Sequence, residues 1–298
     1  MYPGVRRSGL DPNGAGAHAM TTRKTCARSF YPEASAATID EYVRGFAPPP
    51  LPGACAAVVP HAGWCFSGRT AARVFLALAP AAPATFVFLG AVHRRPLDAP
   101  AVDTAEAWDT PLGPISVDAV LLDELRRAGI GIEEDPGAHE GEHSIEVSLP
   151  FVRHFFPEAR IVPIACPPFP GAPAFGAALG AALAGLRAVV VASSDLTHYG
   201  ASYGFAPAAG DPAQVLRFVR ENDERMLALV RGLRDDAILA EARAHQNACG
   251  SGAIAAAVAA ARAMGARAGL VIEYRTSHDS LPEHPAGRIV GYGGAVMA

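Results

Sequence analysis

The chain has 298 residues, half of them hydrophobic and only 18% charged. That is ample apolar material for a buried core, so disorder is not expected of its body. A formal net charge of −4 leaves no basic excess to displace counterions from a nucleic-acid backbone, and the five scattered cysteines, odd in number, do not make the disulfide framework of a small secreted domain.

Residues 1–22 are rich in Gly, Pro, Ser and Asn without periodicity and read as a flexible extension, with Met20 an alternative to Met1 as the start. Arg6 and Arg7 are not followed by an apolar run of the length an export signal needs; the expectation is a cytoplasmic protein whose cysteines stay reduced. Residues 23–298 read as one α/β domain. Short apolar runs at Ala56–Val59, Thr85–Leu89, Arg160–Ile164, Ala188–Ala192, Gly269–Tyr274 and Arg288–Tyr292 predict strands, their Val, Ile and Phe content implying burial on both faces. Ser67–Leu78, Val117–Ala128, Ser144–Phe155, Ala174–Leu186, Pro212–Leu229 and Gly250–Met264 predict helices. Trp108–Gly113 predicts a turn or hairpin connection, and Tyr203–Pro212 a mobile loop. Ala172–Ala192 has the length of a membrane span, but its Ala, Gly, Pro173 and Arg187 fit a buried helix followed by a buried strand, and no membrane is expected.

Three of the predicted strands end in turns that carry an imidazole: Pro60-His61-Ala62-Gly63-Trp64, Gly90-Ala91-Val92-His93-Arg94 and Ser193-Ser194-Asp195-Leu196-Thr197-His198. Ligand crevices in open α/β sheets lie outside the carboxyl ends of the strands, so these turns are expected to converge. A lone histidine there would more often be a hydrogen-bonded rim residue; three at equivalent points favour function. Cys249 precedes a predicted helix, whose N-terminal partial charge favours a thiolate able to act as ligand or nucleophile. Cys55 and Cys166 read as small buried hydrophobes. In Glu140–Glu146, His143 and Glu146 are three apart and would share a helix face toward a pocket; a capped, exposed helix start accounts for the same run equally well. His278 and Asp279 read as a rim pair; His18, His154, His245 and His284 have no pattern around them.

PHAGW with FSG, LGAVH, WDTPLG, EHSIE with LPF, SSDLTH and ACGSG, after an opening Arg28-Ser29-Phe30-Tyr31-Pro32, occur in the order of the Memo family. The chain resembles that family, whose members include AmmeMemoRadiSam system protein B-like proteins, from about residue 23 to its end. The resemblance implies a class III extradiol dioxygenase-like fold, a twisted mixed central β-sheet flanked by helices, with a metal pocket at one end of the strands. It implies His61, His93 and Cys249 as metal ligands, the cysteine in place of the dioxygenases' glutamate. It implies Asp195 and His198 near the metal, His198 resembling an acid/base histidine, and His143 and Glu146 facing the pocket. Trp64 stands where many relatives have tyrosine, Ser148 where histidine is frequent, and Ala253 where proline is frequent; Trp64 is therefore expected to shape a substrate pocket.

Two histidines and an anion leave open coordination positions, as in non-haem Fe(II) enzymes, while a thiolate also suits copper and zinc. The expected function is a metal-dependent oxidoreductase of dioxygenase type acting on a small aromatic or chelating substrate, with His198, Asp195 and His143 as catalytic groups. Two other readings fit the same residues: a non-catalytic metal- or peptide-binding interaction protein, and a hydrolase with Cys249 as nucleophile activated by His61 or His198. Oligomeric state has no signature in the sequence.

Overall fold

Four apolar runs lie side by side because residues alternating along each find cover on opposite faces. The computed structural model describes residues 20–207, 210–283 and 287–298. Its long strands are β1 (Ala56–Val59), β2 (Thr85–Gly90), β3 (Arg160–Ala165), β4 (Ala188–Ser193), β5 (Gly269–Thr276) and β6 (Ile289–Met297). The first four are parallel in the order β1–β4–β2–β3, with Val59 and Gly90 both level with Ser193 and Gly90 level with Ala165. Their carboxyl ends therefore meet at one edge.

β6 runs antiparallel to β1, and β5 antiparallel to β6. The two-residue strand His198–Tyr199 joins the start of β6, and Ala101–Val102 and Glu133–Glu134 extend the β3 side, completing a mixed nine-stranded sheet. β1 to β4 are buried on both faces apart from Arg160; β5 is only partly buried. Thr22–Arg23, Ala107–Trp108 and Ile115–Ser116 form a separate three-stranded sheet, the last two pairing antiparallel across the predicted turn.

The helices are α1 (Ala36–Val43), α2 (Trp64–Leu78), α3 (Ala119–Arg127), α4 (Leu149–Phe155), α5 (Ala172–Leu183), α6 (Pro212–Arg231), α7 (Asp235–His245) and α8 (Ser251–Ala263). Side chains of α1, α2 and α4 cover Ala57, Val59, Phe86, Phe88, Val189 and Val191. Those of α3 and α5 to α8 cover Val58, Val87, Leu89, Val190 and Ala192 on the opposite face. Each large apolar side chain removed from water contributes about 1.5–3 kcal/mol, so the alternation holds the register.

The membrane-length stretch is α5 followed by β4, as its composition predicts, and no helix among the described residues is long and apolar enough to cross a membrane. The predicted helix Ser144–Phe155 is instead a bend, a 3-10 turn (Glu146–Ser148) and α4, with Pro150 in its first turn. Residues 1–19 of the expected extension, residues 208 and 209 of the expected mobile loop, and His18 and His284 lie outside the described residues.

Candidate metal centre

β1 delivers His61, β2 delivers His93, and Asp195 follows β4. Cys249 arrives from the far side of the chain, just before α8. Its approach needs Gly250: a Cβ there would lie 2.5 Å from the carbonyl oxygen of Ser193. The N–H of Cys249 then donates to the carbonyl of Asp195 at 3.2 Å.

Three donor atoms converge. Nε2 of His61 is 3.3 Å from Sγ of Cys249, and the donors of His61, His93 and Cys249 all lie within 4.8 Å of one another. Ligands bonded at 2.0–2.3 Å to one ion are separated by roughly 3–4 Å, so the spacing suits a single cation.

The hydrogen bonds also fix the tautomers. The Ser193 hydroxyl donates its one proton to the carbonyl of Ser144, so it accepts from Nδ1–H of His61 at 2.9 Å. The Glu142 carboxylate accepts from Nδ1 of His93 at 3.0 Å. Both imidazoles therefore keep Nε2 for an ion, each oriented by a partner on its other nitrogen as in metal-binding histidines generally.

Electrostatics agree with that donor set. Burial works to raise the Cys249 pKa, but the adjoining His61 and His93 bring it down to about 6, so the sulfur is anionic at neutral pH. Burial opposes charge on His93, yet hydrogen bonds to Cys249 and Glu142 raise its pKa to about 10. A proton thus stands where a cation would complete the site. His61 is 2% exposed, whereas the His93 side chain is 31% exposed, so the centre opens on the His93 side.

Asp195 is buried, with its pKa raised chiefly by that burial; its Oδ1 takes the N–H groups of His61 at 2.8 Å and Ala62 at 3.2 Å. It fastens the backbone turns of two donors. His143 is brought to the cluster, its ring stacked on Phe30 at 4.3 Å and on His93 at 5.0 Å, and edge-on to His61 at 5.4 Å. Burial and the two neighbouring imidazoles lower its pKa to about 3, and its buried Nδ1, 3.4 Å from Glu142 Oε1, has no hydrogen bond. His198, on its short strand, places Nδ1 3.0 Å from the carbonyl of Leu196 and its ring edge-on to Tyr203.

Glu146 and Trp64 have other surroundings. The Glu146 carboxylate takes the N–H groups of Cys26 and Ala27, the hydroxyl of Tyr31 and the guanidinium of Arg23, tying down the segment that carries Phe30. Trp64 is 4% exposed, stacks on Phe151 at 4.4 Å and donates its indole N–H to the carbonyl of Val147. Glu142 and Ser193 are the orienting residues to which the sequence assigned no role. Their signal was slight: each stands in a motif, but nothing in the spacing says which carboxylate or hydroxyl will meet a histidine from another strand.

A parallel-centred α/β fold with a two-histidine, one-cysteine donor group at its strand ends defines a candidate mononuclear metal-binding protein. The chain belongs to the Memo family, the family model described as Memo-like protein matching residues 23–296. It is 34% identical over 252 residues to a MEMO1 family protein of Pyrococcus abyssi, covering 81% of this chain and 86% of the relative. The corresponding protein of Methanopyrus kandleri is 36% identical over 256 residues, 83% of each chain. That of Methanosarcina acetivorans is 32% identical over 253 residues, 81% of this chain and 85% of the relative.

Proposed function

We propose that the protein is a metal-dependent oxidoreductase of dioxygenase type that acts on a small aromatic or otherwise chelating substrate. The observation that carries this reading is the convergence of two Nε2 atoms and one thiolate at the carboxyl ends of parallel strands. Fe(II) held by His61, His93 and Cys249 would supply redox chemistry and open coordination positions. Copper and zinc suit the same donors, the thiolate favouring Cu(I).

The chain's own residues supply the rest. Phe30 and His93 each stack on His143, which is edge-on to His61, and an aromatic substrate would extend that stack. His143 is held uncharged, so it accepts a hydrogen bond from a substrate hydroxyl without repelling a cation. His198 donates its Nδ1–H to the carbonyl of Leu196, which leaves Nε2 to take a proton from the substrate. Asp195 keeps the His61 and Cys249 turns in register. All five cysteines are free thiols, which suits a cytoplasmic location.

Two measurements test the proposal. Protein purified without added metal or chelator should contain close to one iron per chain; one copper or zinc would replace the iron assignment. Anaerobically Fe(II)-loaded protein should consume oxygen with a member of a catechol and aminophenol panel, and His61→Ala should abolish it. A bound metal with no turnover on any substrate would favour the non-catalytic binding role instead.

A further inference from the structure

The first helix after the His61 turn carries a second concentration of charge that the metal centre does not use. Arg69 and Arg73 on α2, Arg44 at the end of α1 and Arg275 on β5 line one cleft of about 440 Å³. None of the three candidate metal ligands lines it. The chain as a whole is acidic, so four guanidinium groups in one cleft do not follow from its overall composition.

Their carboxylate partners are too few. Glu41 pairs with Arg44, and Glu273 alone serves both Arg73, at 2.8 Å, and Arg69, at 3.3 Å. Arg275 donates to the Ser280 hydroxyl and the carbonyl of Asp279, and makes no ion pair among the described residues. The Asp279 carboxylate is engaged by Arg220 at 2.7 Å. Four cations facing two carboxylates leave two positive charges. Glu33 does not line the cleft but acts on two residues that do, Tyr42 and Cys65, and so offsets part of that excess.

We propose that this cleft binds a small phosphate monoester, its dianion held by Arg275 and the under-compensated Arg69 and Arg73, its organic part against Tyr42 and Phe66. Guanidinium groups match phosphate oxygens in pairs, which is why arginine recurs at such sites. The lowered pKa of Arg73 agrees: burial lowers it, and the nearby Arg69 and Arg275 lower it further against the pull of Glu273, so an added anion relieves a standing repulsion. The site is independent of the oxidoreductase reading and stands or falls separately from it.

The test is calorimetric titration of the full chain, in a low-salt buffer at pH 8, with phenyl phosphate, inorganic phosphate and benzenesulfonate. A phosphate monoester is dianionic there, its second pKa being about 6. Phenyl phosphate should bind saturably, and benzenesulfonate, with three terminal oxygens but one negative charge fewer, about tenfold more weakly, a difference of about 1.4 kcal/mol. Inorganic phosphate should bind more weakly than phenyl phosphate, lacking the ring. Arg275→Gln should weaken phenyl phosphate about tenfold, and Arg44→Gln, at an exposed position, should weaken it less. His61→Ala should leave binding unchanged. Absence of saturable binding, equal affinity for the two aromatic anions, indifference to both arginine changes, or loss of binding in His61→Ala would each overturn the proposal, the last by moving the anion to the metal centre.

Discussion

One oxygen of the Glu142 carboxylate lies 3.0 Å from Nδ1 of His93 while its other oxygen takes the backbone N–H of His93 at 2.7 Å. The same carboxylate also accepts from the N–H groups of His143 and Ser144. Burial works against ionising it, but its hydrogen bonds to His93 and the backbone hold it well below the usual carboxylate range. Glu142 therefore fixes both the ring and the backbone of one donor.

Glu142→Gln keeps the shape and removes the charge. Loss of such an orienting partner typically costs 10- to 100-fold in metal affinity. Competition against a chelator of known affinity should show a loss in that range, with the far-ultraviolet circular dichroism unchanged. An affinity equal to that of the wild type would mean that His93 is not a ligand or that Glu142 does not tune it.

Cys249 should reveal its environment by its reactivity. With its pKa lowered to about 6, the metal-free chain should be carboxymethylated at Cys249 with a rate that rises through about pH 6, well below the range of an ordinary thiol. His61→Ala removes one of the groups that lower it, so the midpoint should move upward. Bound metal should block the reaction, because the sulfur is then a ligand. Peptide mapping in a Cys26→Ser, Cys65→Ser background isolates the signal from the two exposed thiols. Labelling that metal leaves untouched would instead support a nucleophilic role.

The legible parts of the molecule were those written as local patterns. His61 and His93 stand in the turns that follow continuous apolar runs, and Cys249 precedes a small-residue helix, so each could be placed near an element end from sequence alone. What stayed hidden depends on contacts between distant segments. A helix face shared by His143 and Glu146 and a capped, exposed helix start fit the sequence equally well; the chain turns there instead, and the Glu146 carboxylate is directed to the residue 23–31 segment. Trp64 begins α2 three residues before the predicted start at Ser67 and goes into the core. The end of β6 was missed because Gly293 and Gly294 look like strand breakers. They are there because α6 and α2 press on the strand: a Cβ would meet Leu227 at 2.8 Å from Gly293 and Val74 at 2.6 Å from Gly294. α1 and α7 lacked a strong apolar stripe, and two-residue edge strands carry no period to read.

Close packing of the other helix pair gives a prediction whose sign is opposite to helix propensity. Gly176 and Gly180 on α5 meet α8, where a Cβ would lie 2.0 Å from the Ala256 carbonyl oxygen and 2.3 Å from that of Ala260. Glycine to alanine inside an unobstructed helix stabilises by roughly 0.5–1 kcal/mol. Here backbone blocks the methyl, so Gly180→Ala should destabilise, by about 1–3 kcal/mol as overpacking usually does. Urea denaturation would measure it, and a gain in midpoint would show that α5 and α8 are less tightly apposed.

Asp223 supplies a prediction about pH. Its carboxyl is fully buried on α6, accepting the N–H of Thr197 at 2.8 Å and the hydroxyl of Tyr274 at 2.7 Å, while the neighbouring Asn222 donates to the Thr197 hydroxyl at 2.9 Å. The two residues thus hold the loop between Asp195 and His198. Burial raises the Asp223 pKa to about 7 against those hydrogen bonds, far above an unfolded value near 3.8. Between those pH values the folded chain retains a proton that the unfolded chain has released, so folding stability falls as pH rises, by up to about 1.4 kcal/mol per pH unit. The contribution is fully present below about pH 3.8 and lost above about pH 7. Asp223→Asn cannot ionise, and it keeps an oxygen for Thr197 and an amide for the Tyr274 oxygen. Its melting temperature should therefore vary less with pH across that window than the wild type's, and the two curves should diverge most at the alkaline end, with the variant the more stable. Parallel curves for the two proteins would show that Asp223 ionises alike in both states and that its hydrogen bonds with Thr197 and Tyr274 fully offset its burial.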